Sequence, residues 1–319
     1  MDRTVGNVLV TGCAGFVGTH LCLALLRRGL RVLGVDNFFC SDGAGLAELE
    51  RAGSFAFQES DIREPDLLER LSREHGAISH VFHLAAISDV NYSMTHGEEV
   101  YEVVVEATRS LHEQARRLGC LAFVHAGSAA EYGEAAPPLE EHDADDATRQ
   151  LSPYGRAKFL ASRLIESSGW GSSLRCFNIY GPLQNPASPY SGVISLFGLR
   201  ALRGEALAIN GDGGQSRDFI YIDDCIRAYL LAAGLDGEGV MTGIFNVATG
   251  RPTTIGELAG RINAITGSEA GCVFRPCRPG DIRHSYASCG AFHAATGFVA
   301  KTGLDAGLAR TLAWLRERI

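Results

Sequence analysis

The stretch Val8-Leu9-Val10-Thr11-Gly12-Cys13-Ala14-Gly15-Phe16-Val17-Gly18 decides the fold. Its apolar start reads as a buried strand, and the leucines at 21, 23, 25 and 26 that follow read as a helix stopped at Gly29. Three glycines at G-x-x-G-x-x-G spacing stand between the two. Without side chains there, a backbone can approach a pyrophosphate, and the helix N-terminus draws its charge. The next strand, Arg31 to Asp36, ends in an acid 18 residues past Gly18. A carboxylate at that place accepts hydrogen bonds from an adenosine ribose and repels a 2′-phosphate, which predicts NAD rather than NADP. A tight turn would use the same glycines. The strand, helix and acid in register favour the dinucleotide.

The same alternation continues outward from this stretch. Ser54–Gln58, His80–Leu84 and Leu121–His125 read as strands, with helices over Leu67–His75 and ending near Leu118. Strands alternating with helices imply a doubly wound parallel sheet covered on both faces. Asp61-Ile62 falls one strand over from Asp36, against the adenine. From Gly181 to Gly214 the chain is rich in Gly, Pro and Asn, and it then gives a strand over Arg217–Ile222 and a helix over Cys225–Ala233. Two helical patterns, Thr254–Thr266 and Leu304–Arg318, flank an irregular Arg275–Tyr286. The expected organisation is α/β: a Rossmann-type NAD-binding domain over 1–177 and 217–250, and a smaller mixed α/β substrate domain over 178–216 and 251–319.

Composition removes other classes. With 29 basic and 37 acidic residues the net charge is −8, which argues against a general nucleic-acid binder. An anionic small ligand stays open, because a few arginines hold a diphosphate inside an acidic protein. The nine cysteines form no CxxC pair, so they read as free, mostly buried thiols of a cytoplasmic protein. The histidines show no metal spacing, and no metal is expected. No stretch reaches the roughly 18 apolar residues of a membrane span, and Met1–Asn7 has no signal-peptide pattern.

Ser152-Pro153-Tyr154-Gly155-Arg156-Ala157-Lys158 opens a helix with proline near its first turn. Tyr154 and Lys158, four apart, share a face. Free phenol ionises near about pH 10 and is a poor base at neutrality. An ammonium and an oxidised nicotinamide beside it favour phenolate, so the pair can serve as a base. A surface Tyr–Lys pair is the competing reading. The dinucleotide turn upstream favours catalysis.

Together these motifs resemble the extended short-chain dehydrogenase/reductases, in their nucleotide-sugar epimerase and dehydratase group, and within it the UDP-N-acetylglucosamine and UDP-glucose 4-epimerases. The resemblance rests on Thr11–Gly18, Asp61-Ile62-Arg63, His83-Leu84-Ala85-Ala86, Ser128 with Tyr132-Gly133, Tyr154 with Lys158, Arg175–Pro182, Gly211-Asp212-Gly213 with Arg217-Asp218-Phe219, and Arg278-Pro279-Gly280-Asp281. It implies that Ser128, Tyr154 and Lys158 are catalytic. It places NAD on Gly12, Gly15, Phe16, Val17, Gly18, Asp36, Asn37, Asp61, Ile62, Leu84, Ala85, Ala86, Tyr154 and Lys158. For the substrate it implies Ser128 on a sugar hydroxyl, Asn178, Arg217 and Arg278 on the diphosphate, Asp281 on the ribose, and Val193 and Ser285 as further contacts. A salt bridge to Asp218 or Asp281 is the competing role for the two arginines. The resemblance also implies a homodimer paired through helices near Glu98–Leu118 and Tyr154–Ser167, with Val103, Val104, Val105, Leu160 and Leu164 as apolar candidates that could equally face the sheet.

The residues after Ser128 bear on the reaction. Resembling dehydratases carry an acid pair there, and resembling uronate decarboxylases a glutamate two residues on. Here Ala129 and Ala130 follow, and Glu131 comes one residue later, turned by the shift. That favours 4-epimerisation of a UDP-hexose. A small residue at Ser285 favours an N-acetylhexosamine, with UDP-glucose/UDP-galactose and a uronate open. A decarboxylase, a 4,6-dehydratase, a 4-keto reductase and a non-catalytic NAD-sensing protein are the alternatives. Val104 stands where the family has asparagine, which removes a polar contact near the serine. His83 reads as structural, Trp170 and Trp314 as packing residues, and Glu140–Asp146 as a solvated loop.

Overall fold

The computed structural model describes residues 6–145, 150–187, 191–237, 239–277 and 282–319. Its largest sheet uses strands β1 (Asn7–Thr11), β2 (Val32–Asp36), β3 (Phe55–Glu59), β4 (Ile78–His83), β5 (Ala122–Ser128), β6 (Ser172–Cys176) and a last strand, Gly243–Val247. Across the sheet the order is Gly243–Val247, β6, β5, β4, β1, β2, β3. Val8 pairs with Val32, Val10 with Phe82, and His83 with His125, all in parallel register. This is the Rossmann-type doubly wound order, in which the chain runs from β1 outward to β2 and β3 and then crosses back to place β4 on the other side of β1. Every residue of β1 and β2 is buried, as a sheet covered on both faces requires. One side of the core joins Leu9, Leu33, Val81 and Phe123 of the sheet to Leu67, Leu71, Leu111 and Ile165 of the covering helices.

This order matters for function because it collects the carboxyl ends of the strands. Thr11, Asp36, His83 and Ser128 each end a strand of one sheet. Side chains of very different sequence position are thereby brought to one edge, where ligands of such folds bind.

Contacts divide the chain into two compact units: residues 1–131, 152–175 and 226–245, and residues 132–151, 176–225 and 246–319. Relative to the division expected from sequence, 132–151, 176–177, 217–225 and 246–250 group with the second unit. In that unit Ser216–Asp218 pairs antiparallel with Pro252–Thr254 and parallel with His284–Ser285, and Leu207–Asn210 pairs with Cys272–Arg275.

Some local expectations are corrected. Arg217–Ile222 is not one strand. Ser216–Asp218 belongs to the three-stranded sheet, whereas Ile220–Tyr221 pairs with Ile179–Tyr180, so the chain changes partner at Phe219. The next helix begins at Ile222. The acidic segment from Glu140 is not simply a solvated loop. Glu140 and Asp143 cap a short 3₁₀ turn over Glu141–Ala144, Ala144 is buried, and Glu141 accepts the Asn246 N–H at 2.8 Å. None of the nine cysteines is in a disulfide, but only Cys13, Cys22, Cys120 and Cys225 are buried, and Cys272 and Cys277 are exposed. Val103, Val104 and Val105 lie inside this chain's own core, so they present no interface. Among the described residues no helix is long and apolar enough to cross a membrane.

Candidate active site

The glycine turn is shaped as a cradle. Gly12 sits at φ 71°, and a Cβ there would lie 2.8 Å from the Ala85 nitrogen. A Cβ on Gly18 would collide with the Gly12 carbonyl oxygen, so only glycine lets the helix Phe16–Leu26 start this close to β1. Gly15 caps that helix, and Phe16 and Val17 form its first turn. The opposite wall is tied in through Thr11. Its carbonyl accepts the Leu84 N–H at 3.2 Å and its hydroxyl accepts the Ala85 N–H at 3.2 Å, with Ala86 next in the chain.

Asp36 is buried at the end of β2. Its carboxylate accepts from Ala14 N–H at 3.0 Å, Phe38 N–H at 2.9 Å and the Ser41 hydroxyl at 3.1 Å. A carboxylate has about four acceptor positions, so capacity for a ribose hydroxyl remains. The glycine cradle and this acceptor fit a dinucleotide. Asn37 donates to Asp61 at 3.0 Å. Asp61 is also paired with Arg63 at 2.7 Å, and that guanidinium holds the carboxyl below its ordinary range. Ile62 turns its side chain into the core, which leaves its main chain as the part available to a ligand.

The catalytic candidates come from β5 and the helix Pro153–Ser167. Ser152 caps that helix by accepting the Gly155 N–H at 3.1 Å, and proline occupies its first turn. A Cβ on Gly155 would stand 2.6 Å from the Ala130 oxygen. The bare glycine therefore seats the first helical turn, with Tyr154, on the turn that follows Ser128. Ser128 Oγ accepts the Ala130 N–H at 3.2 Å, and buried Lys158 donates to the Ala126 carbonyl at 2.7 Å.

Beneath this edge lies a polar group that the sequence did not bring forward as functional. Glu131 and Arg175 form a fully buried ion pair at 2.6 Å. The other Glu131 oxygen accepts the Ser128 N–H at 2.8 Å and the Ser162 hydroxyl at 2.9 Å. Arg175, a cation between Leu174 and Cys176 in a buried strand, was the available signal, since a buried charge requires a partner. His83 bridges Thr11 at 2.8 Å and Thr108 at 2.9 Å, and Thr108 donates to the Val104 carbonyl at 2.6 Å. A hydroxyl thus serves His83 beside Val104.

Of the substrate candidates, Asn178 donates to the Asp218 carbonyl at 2.9 Å, and Arg217 pairs in register with Ser285. Asp218 does not serve as the arginine's anchor in the expected way. Its two carboxylate oxygens take the Thr249 N–H and hydroxyl and the Gly250 N–H. Val193 begins the helix Val193–Leu202. Arg278 and Asp281 lie outside the described residues. Arg283 and Asp212 form an exposed bidentate pair at 2.6 and 2.9 Å. Among the described residues no cluster of His, Cys, Asp or Glu is placed to hold a metal ion.

A doubly wound sheet with this glycine cradle, an acid at the end of β2 and a Tyr–Lys pair on the helix seated against the turn after Ser128 defines a dinucleotide-dependent enzyme of the extended short-chain dehydrogenase/reductase class. The chain belongs to the NAD dependent epimerase/dehydratase family, whose model matches residues 8–248, and NAD is the cofactor of that family. It is similar to a UDP-glucose 4-epimerase of Mycolicibacterium smegmatis, 32% identical over 98% of this chain and 99% of the relative. A UDP-N-acetylglucosamine 4-epimerase from Methanobrevibacter ruminantium, solved with UDP-N-acetylmuramic acid, is 29% identical with a TM-score of 0.86, covering 98% of this chain and 99% of its own. A UDP-glucuronic acid 4-epimerase from Bacillus cereus, solved with UDP-glucuronic acid and NAD, is 28% identical with a TM-score of 0.86, covering 98% and 100%.

Proposed function

We propose that this chain catalyses NAD-dependent 4-epimerisation of a UDP-hexose through a transient 4-keto sugar. The substrate pair is UDP-N-acetylglucosamine/UDP-N-acetylgalactosamine or UDP-glucose/UDP-galactose. One observation carries the reaction type. Ser128 is followed by two alanines, and the next carboxylate in the chain, Glu131, is fully buried against Arg175. Elimination of water needs an acid and a base working at neighbouring carbons, and these positions supply neither.

The C4 hydrogen of a sugar is not acidic, so direct deprotonation is closed. NAD would supply the hydride acceptor and donor for that carbon, held by the Gly12–Gly18 turn, Asp36 and Lys158. Tyr154 accepts the 4-hydroxyl proton and later gives it back. Ser128 hydrogen-bonds the same hydroxyl and orients it. Lys158, anchored on Ala126, holds the nicotinamide ribose and favours the phenolate of Tyr154. The 4-keto sugar turns about its diphosphate before it is reduced on the other face. Asn178, Arg217 and Arg278 hold that diphosphate, Asp281 the ribose, and Ser285 leaves room for an acetamido group. We further propose a homodimer, which the mass from solution scattering tests.

The test is incubation of purified protein with UDP-N-acetylglucosamine, UDP-glucose and UDP-glucuronate separately, each followed by proton NMR. The matching 4-epimer, formed without net cofactor consumption, supports the proposal. A 4-keto product, released carbon dioxide or strict dependence on NADPH overturns it. The Bacillus cereus neighbour favours one second reading, epimerisation of UDP-glucuronate. Conversion of that sugar alone would select it.

A further inference from the structure

We propose that Glu131 is the positioning residue for Ser128, clamped from behind by Arg175. A glutamate fully buried under an enzyme's edge needs a reason, because desolvating a carboxylate and a guanidinium opposes folding unless every remaining hydrogen-bonding group is satisfied. Here the carboxylate divides its two oxygens. Oε2 takes Arg175 Nε at 2.6 Å, and Oε1 takes the Ser128 main-chain N–H at 2.8 Å and Ser162 Oγ at 2.9 Å. One oxygen is neutralised, and the other fixes the residue that touches the sugar.

The neighbours reinforce the geometry. A Cβ on Gly127 would stand 2.9 Å from Glu131 Oε1 and 2.8 Å from Ser173 Oγ, so the strand end rests directly on this polar plug. On one side of Gly127 is Ala126, whose carbonyl holds Lys158 at 2.7 Å; on the other is Ser128. Glu131 therefore sets the piece of backbone that carries both catalytic contacts.

The direction of the hydrogen bonds follows from the carboxylate. It can only accept, so Ser162 donates to it. Ser173, 2.8 Å from Ser162, then donates to Ser162, and His125 Nδ1, 2.9 Å from Ser173, donates to Ser173. Nε2 of His125 is then a bare lone pair, consistent with its having no hydrogen-bond partner. One charge thus orders a chain of four side chains behind the site.

The consequence for turnover rests on the 4-epimerase reading of Ser128; the clamp itself does not. The experiment separates the two. Glu131→Ala leaves Arg175 buried without its partner and can fail by unfolding. The test therefore uses Glu131→Leu with Arg175→Met, which removes both charges at similar volume, beside Glu131→Gln with Arg175→Met, which keeps an acceptor oxygen. Amide hydrogen exchange of the peptide spanning 126–132 is read by mass spectrometry without substrate. Exchange on the order of tenfold faster in the Leu/Met protein, and near wild type in the Gln/Met protein, supports the clamp. Equal exchange in all three overturns it. On a UDP-sugar that the wild type converts, the Leu/Met protein should keep its NAD and its KM and lose on the order of tenfold in kcat, with the Gln/Met protein restoring most of it. Unchanged kcat in the Leu/Met protein overturns the positioning role. If the wild type converts no UDP-sugar, the reading of function fails, and the exchange result still decides the clamp.

Discussion

Lys158 is bound to the main chain of β5: its ammonium donates 2.7 Å to the carbonyl of Ala126, two residues ahead of Ser128. The side chain is buried, so it is held in one place rather than sampling solvent. Lys158→Met should therefore lose both the charge beside Tyr154 and the tie between helix and strand. The expected result is a fall in kcat on the order of 10²- to 10⁴-fold and less NAD retained on purification. Lys158→Arg should not rescue it, because a planar fork cannot replace a compact ammonium in a buried niche. Wild-type turnover in either variant would refute the assignment.

Gly155 sets how closely the helix of Tyr154 approaches the turn after Ser128. A methyl group there meets the Ala130 oxygen at 2.6 Å, and that oxygen is backbone and cannot swing away. Gly155→Ala should shift the first helical turn, costing about 1–3 kcal/mol in urea unfolding and lowering kcat more than KM. Stability and turnover equal to wild type would mean that the two elements can separate without consequence.

The doubly wound sheet was legible because its signals are local. Apolar runs, glycines of the first turn and the terminal acid of β2 lie within 30 residues of one another. What escaped reading depends on partners distant in sequence. Glu131 and Arg175 are 44 residues apart, and only the fold shows that one neutralises the other. The same holds at Phe219, where the chain exchanges a partner near Thr253 for one near Ile179. The valines 103–105 show the opposite failure. Their pattern fits an interface as well as a core, and burial against the chain's own sheet decides for the core.

Asp36 has a structural duty beside the cofactor role proposed for it. It accepts hydrogen bonds from Ala14, Phe38 and Ser41 at 2.9–3.1 Å. Asp36→Asn turns one acceptor edge into a donor facing an N–H. It should weaken NAD binding at least about tenfold and cost about 1–3 kcal/mol through the unsatisfied group. Calorimetric titration of the apoprotein with NAD and with NADP reads the first effect. The Asn protein should also discriminate less against NADP, since the repelling charge is gone; an unchanged preference would remove Asp36 from cofactor selection.

His83 gives the fold an acid-sensitive element. Thr108 donates its own proton to the Val104 carbonyl, so it accepts from His83 Nε2, and Nδ1 accepts from Thr11. The ring is neutral in that arrangement. Burial, and then the charge of Lys158, push its pKa down to about 3. In the unfolded chain a histidine titrates near about 6.5. Between those two values the unfolded state holds one more proton than the folded state. The stability tied to the neutral ring is therefore complete above about pH 6.5 and is lost as the pH falls toward the folded value, at about 1.4 kcal/mol per unit. His125 is shifted in the same direction, again chiefly by burial. His83→Gln removes one of these titrations. Urea unfolding between about pH 6 and pH 5 should then show a dependence on pH shallower by roughly 1.4 kcal/mol per unit than in the wild type, whatever the variant costs at neutrality. Parallel lines for the two proteins would mean that His83 already carries its second proton in the native state, with Nδ1 donating to Thr11 rather than accepting from it.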